Sequence, residues 1–111
     1  MRKSKLKEGP IEYYHVYPKE GTSQESVVVK LQNGKLESLT SHLNKEISVG
    51  TLNRACGIKL ENGKLIVNEE YNFTEISLNR AYRKSEDFKK NGSPKWLCYD
   101  LVYEILAEVT M

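Results

Sequence analysis

An α+β domain is the expectation raised by two features of this 111-residue chain. Lys30-Leu31-Gln32-Asn33-Gly34-Lys35-Leu36 returns as Lys59-Leu60-Glu61-Asn62-Gly63-Lys64-Leu65, with Glu61 answering Gln32. Asn-Gly between apolar residues marks a two-residue type I′ turn, because both central residues need positive φ, so each copy reads as a β-hairpin. The later part of the chain instead carries apolar residues at helical spacing between capping residues. The expected architecture is a small antiparallel sheet of about five strands built from the two Asn-Gly hairpins. Short helices connect them, and two C-terminal helices pack on one face.

In chain order, residues 1–10 form a basic flexible tail in which Arg2, Lys3, Lys5 and Lys7 are opposed only by Glu8. Such an arm also has the charge to contact phosphate. Gly9-Pro10 breaks the backbone, and residues 11–111 are expected to form one domain. Ile11 to Tyr17 reads as a strand with tyrosine on both faces, so period-2 alternation does not say which side is buried. Val27, Val28 and Val29 mark a buried strand that turns at Asn33-Gly34 and returns through Leu39. Leu39, Leu43 and Ile47, spaced by four, predict a short helix capped by Thr40 or Ser41. Thr51 to Cys56 predicts a second, stopped by Gly57. After the second hairpin, Asn72-Phe73-Thr74-Glu75 has capping-box spacing, which predicts a helix from there to about Lys90. Ser93-Pro94 opens the last helix, whose wide apolar face includes Leu97, Cys98, Leu101 and Ile105.

The two copies also share an echo. Glu46-Ile47-Ser48 with Leu52-Asn53-Arg54-Ala55 is answered by Glu75-Ile76-Ser77 with Leu78-Asn79-Arg80-Ala81, which sets Arg54 and Arg80 in matching places. If the echo is a repeated structural device, the two arginines should contribute alike to stability.

Charge excludes little by itself. Seventeen Lys/Arg against fifteen Asp/Glu give a formal net charge of +2, short of the strongly basic balance of a dedicated nucleic-acid binder. No apolar run is long enough for a membrane helix, and the basic N-terminus lacks a secretory apolar core. Cys56 and Cys98 form no disulfide framework, so the sequence reads as cytoplasmic with free thiols.

Candidate chemistry is sparse. Cys56 in Ala-Cys-Gly, activated by His15 or His42, is the one nucleophile to consider, but no third residue orients the pair and a small buried thiol is the simpler reading. His15, His42, Cys56 and Cys98 have no paired metal spacing, and no phosphate or dinucleotide loop is present. No catalytic residue, metal or cofactor is assigned, and the chain reads as non-enzymatic. Its function is expected to be that of a small binding protein, of inhibitor or adaptor type, that acts by occupying a macromolecular partner. A protein partner is expected, through exposed tyrosines among Tyr13, Tyr14 and Tyr17 and through the basic helix residues Arg80, Arg83 and Lys84. The sheet edges and the last helix point to a homo-oligomer. One alternative is a DNA-binding regulator with a helix-turn-helix-like segment at 39–56, whose Thr51, Asn53 and Arg54 would face bases or phosphates. The other is a site for a small anionic ligand such as a nucleotide, formed by Arg54, Arg80, Arg83 and the tyrosines.

Overall fold

A computed structural model of the chain describes residues 10–21, 25–94 and 96–97. It begins with three antiparallel strands, β1 (Ile11–Pro18), β2 (Val27–Gln32) and β3 (Lys35–Ser38). Two short strands follow, β4 (Ser41–His42) and β5 (Lys45–Glu46), and then helix α1 (Val49–Cys56). Strands β6 (Lys59–Glu61) and β7 (Lys64–Ile66) make a second small hairpin. Strand β8 (Tyr71–Ile76) and helix α2 (Leu78–Asn91) complete the described elements. β8 pairs antiparallel with β1, so the main sheet has four strands in the order β3-β2-β1-β8.

Both faces of this sheet are covered, which is why tyrosine occurs on both sides of β1. Val27, Val28 and Val29 are all 0% exposed, as befits a central strand buried on both faces. Val16, Val27 and Val29 point to the larger core, with Ile47, Leu52, Cys56, Ile58, Leu65 and Leu97. Val28 points the other way, against Ala81 and Phe88 of α2, with Tyr13, Leu39 and Ile76 at the margin. Trp96 closes the larger core at one end, its ring centroid 5.2 Å from that of Tyr71 and its indole N–H donating to the Glu25 carbonyl.

The first Asn-Gly pair joins β2 to β3 and the second joins β6 to β7. Asn33 and Gly34 have φ of 54° and 73°, Asn62 and Gly63 of 55° and 78°. A Cβ at either glycine would meet nothing within 4 Å, so the turn needs the glycine for its φ and not for space. The hairpins do not build one sheet, however. β6–β7 stands as a separate two-stranded sheet over the larger core.

Two expected helices are displaced. Residues 39–47 fold as the β4–β5 hairpin, so the helix-turn-helix-like arrangement over 39–56 is not formed and only α1 remains of it. The reason lies in Thr40. Its hydroxyl does not cap a helix but accepts from Val28 N–H and donates to Val28 C=O, both at 3.0 Å, which extends the β2–β3 pairing. Leu43 then turns the chain at φ 59° and donates its N–H to the Phe88 carbonyl at 3.0 Å. The period-four apolar residues share no face: Leu39 packs toward α2, Ile47 toward α1, and Leu43 is 45% exposed.

The helix expected from Asn72 begins only at Leu78. Asn72 and Glu75, read as a capping box, are instead partners of Tyr17 and Tyr14 in the β1–β8 ladder. Ser77 takes the cap, its side chain accepting from Arg80 N–H. Along α2, Ala81 and Phe88 are buried, whereas Leu78 and Tyr82 are 58% and 66% exposed. The basic tail up to Gly9 and residues 98–111, which include Cys98 and most of the expected final helix, lie outside the described residues. Ser93, Pro94, Trp96 and Leu97, where that helix is expected to open, form a bend and turn and no helix.

Candidate functional site

The sheet divides the residues singled out by sequence. Tyr14 lies on the α1 side, where its hydroxyl donates to Glu12 Oε1 at 2.7 Å and its ring meets Phe73 edge-on at 5.8 Å. Tyr13 and Tyr17 lie on the α2 side. Tyr13 packs beside Val28 and Ala81, while Tyr17 stands edge-on to His15 at 5.1 Å with its hydroxyl 3.5 Å from Thr74 Oγ1. The three tyrosines therefore make no single platform for bases or an adenine ring, because neighbours in a strand point to opposite faces.

The arginines are divided in the same way. Arg54 is exposed on α1, which covers one face, and Arg80, Arg83 and Lys84 belong to α2, which covers the other. A pocket shared by Arg54, Arg80 and Arg83 is thus not formed. Arg83 lies exposed, while Lys84 is half-buried with its ammonium 5.8 Å from the Phe88 ring centroid.

Cys56 is equally isolated from the histidines. It is 0% exposed, its thiol donates to the Leu52 carbonyl at 3.3 Å, and burial pushes its pKa up to about 12. His15 lies across the sheet from it. His42 Nδ1 accepts from Ser93 N–H at 3.1 Å and lies 3.0 Å from Ser93 Oγ, which pins the chain after α2 to the β4–β5 hairpin. Neither imidazole activates this thiol. Among the described residues, no group of three His, Cys, Asp or Glu is placed to hold a metal ion, and no helix is long and apolar enough to cross a membrane.

What the structure does assemble is an edge with unlike sides. Among the described residues β8 pairs with β1 alone, and Asn72, Phe73, Thr74 and Glu75 are all exposed. Two backbone bonds fix which of its polar groups face outward. Leu39 N–H donates to the Val28 carbonyl, so Val28 turns its backbone groups toward β3, and His15 opposite it turns its own toward β8. Lys19 N–H donates to the Glu70 carbonyl at 3.0 Å, a rung of the same alternation. Asn72, Thr74 and Ile76 therefore bond inward, and Phe73 and Glu75 present N–H and C=O away from β1.

Charge differs across this edge. On the α1 side the Glu12 hydrogen bond, then burial, then the charges of Glu12 and Glu75 raise the Tyr14 pKa to about 12. On the α2 side His15 is 4% exposed, and its Nδ1 has no hydrogen-bond partner. Burial first, then the nearby charges of Arg80 and Lys84, hold its pKa below the ordinary 6.5. The Lys84 pKa is lowered by burial first; Asp87 opposes that shift and Arg80 adds to it.

Sequence reasoning found the basic residues of α2 but missed the edge strand. Its signal was there: Tyr71, Phe73 and Glu75 alternate with the polar Asn72 and Thr74, and the aromatic and β-branched residues suit a strand. The molecule is thus a small α+β domain in which, among the described residues, β8 pairs with β1 on one side only and leaves its other side open. Compared with family models, curated proteins and solved structures, the chain matches none.

Proposed function

We propose that this protein is a small binding protein that acts by occupying a macromolecular partner, and that the β8 edge is its contact surface. The observation that carries the reading is the outward aim of the Phe73 and Glu75 backbone groups on a six-residue strand with no described partner beyond it. Such an edge is a template for another strand, and main-chain bonds to it supply affinity without a cleft. Phe73, 40% exposed at the centre of the strand, is the natural apolar anchor.

The test uses a photo-crosslinking phenylalanine analogue at position 73 of the full chain, with the same group at Lys59 on β6 as control. Irradiation in a lysate of the source cells should give one discrete adduct from position 73 and none from position 59. Glu75→Pro removes an outward N–H while leaving the β1 ladder intact, and it should abolish that adduct. Equal labelling from both positions, or an adduct indifferent to the proline, would refute the reading.

A further inference from the structure

We infer that Asn62 is a site of spontaneous modification, an asparagine that cyclises onto the Gly63 nitrogen and becomes isoaspartate or aspartate much faster than Asn33 does. The two stand in heptapeptides that differ only at Gln32 and Glu61, so local sequence gives them nearly the same intrinsic reactivity. What separates them is the fold.

The reaction needs only water and base. The backbone nitrogen of the glycine gives up its proton and attacks the side-chain amide carbon of the asparagine. The new N–C bond closes a five-membered succinimide, and the amide nitrogen takes up a proton and leaves as ammonia. Water then opens the imide at either carbonyl. One opening gives aspartate, and the other gives isoaspartate, whose side-chain carbon now lies in the main chain. Glycine suits the attack because no Cβ crowds its nitrogen. Asn33, Gly34, Asn62 and Gly63 are all exposed, so water and base reach both turns.

An intact turn forbids ring closure. With φ of 54° and 55°, both asparagines hold the first place of a type I′ turn, where ψ is about 30°. At that ψ the glycine nitrogen lies nearly opposite Cβ across the Cα–C bond, out of reach of the side-chain carbon. The turn must come apart before ψ can rotate. The rate at each site is therefore the intrinsic rate multiplied by the fraction of time its turn is open.

The two turns are held very differently. Beside the first, Gln32 is paired on both sides, to Lys35 of β3 and to Ile11 of β1. Leu31 behind it is likewise held by Leu36 and Glu12, and the Lys30 ammonium lies 3.7 Å from Glu37. Beside the second, Glu61 is paired with Lys64 alone among the described residues, in a two-stranded sheet of three residues a strand. Such a ribbon is marginal by itself. Fraying its tip breaks one rung and uncovers no core residue, because Glu61 and Lys64 are both exposed. Glu61 acts in the opposite sense, since its charge discourages loss of the neighbouring proton. At an exposed site in water that effect is about fivefold or less, smaller than the difference in opening. Conversion takes one unit from the net charge of +2, and isoaspartate adds a main-chain carbon next to the strand that seats Leu65, 5% exposed, in the larger core.

The experiment incubates the full chain at neutral pH below its melting temperature and follows both sites by peptide mass spectrometry. The free heptapeptide of residues 59–65 supplies the intrinsic rate. It should convert fastest, Asn62 next, and Asn33 at least about tenfold more slowly than Asn62. Gln32→Glu makes the two heptapeptides identical. In that variant the difference should persist in the folded chain and collapse to about equal rates in urea. Equal rates in the folded chain, faster conversion at Asn33, or no conversion at Asn62 while the free heptapeptide converts would overturn the proposal. So would a difference that survives urea in the variant.

Discussion

His15 shows at a single residue how burial and charge act together. Its imidazole is enclosed between β1 and α2, with Nδ1 unbonded and two cations nearby. Protonation is therefore harder in the folded chain than in the unfolded one, whose imidazole titrates near 6.5. The unfolded state binds the extra proton in the window between the two values, so this contribution to stability is complete above 6.5 and is lost as pH falls toward the lowered folded pKa. Thermal melts taken from neutral pH downward should show the melting temperature falling through that window. His15→Phe should flatten that part of the profile while leaving the ring stacked near Tyr17. A variant with an unchanged slope would show that other groups carry the acid sensitivity. Strand alternation alone puts Tyr13 and Tyr17 on the His15 face of β1, but the two cations reach it only through the helix packed above, which the local sequence does not reveal.

At the level of elements, the internal echo was legible as a pattern, but its meaning was not. Glu46-Ile47-Ser48 and Glu75-Ile76-Ser77 are both strand-to-helix junctions. Ser48 caps α1 at φ −72° and ψ 162°, and Ser77 caps α2 at φ −75° and ψ 162°, each accepting from the N–H three residues on. The following Leu-Asn-Arg-Ala does not continue the equivalence. Val49, Gly50 and Thr51 intervene in the first copy, so Arg54 falls in the last turn of α1, while Arg80 falls in the first turn of α2. The helix dipole favours a cation at the former place and disfavours one at the latter. Arg54→Ala should thus cost about 0.5 kcal/mol of stability, whereas Arg80→Ala should be neutral or slightly stabilising. Urea unfolding of the two variants decides it, and equal losses would contradict the assignment. The edge strand was missed for a related reason. Asn72 and Glu75 satisfy a local capping rule, and a partner strand far away in sequence overrode it.

For the whole molecule, the sheet is a partition between two cores. Leu52 packs in the larger one and Phe88 in the smaller, and they share no partner. Leu52→Ala should cost about 2–5 kcal/mol and Phe88→Ala about 3–5 kcal/mol. The double variant should lose the sum to within about 0.5 kcal/mol, because coupling requires contact or a shared cavity. A double-mutant cycle in urea, with the conservative Leu52→Val and Phe88→Leu if the alanines do not fold, measures it. A larger coupling energy would mean that the valines of β2 transmit strain through the sheet. The two-sided burial was visible in Val27-Val28-Val29. Which helix covered which side was not, since that follows from β8 joining β1 and setting α2 across the back.

That order of pairing also bears on how the chain is made. β1, β2 and β3 are consecutive and can form a meander as soon as they leave the ribosome, but the other side of β1 is completed only by β8, near the end of the described chain. During synthesis the inner rungs at Tyr13, His15 and Tyr17 therefore stand open to whatever strand is nearby. A newly made chain meets this hazard on β1 first, and β8, on arriving, moves the exposed edge outward by one strand.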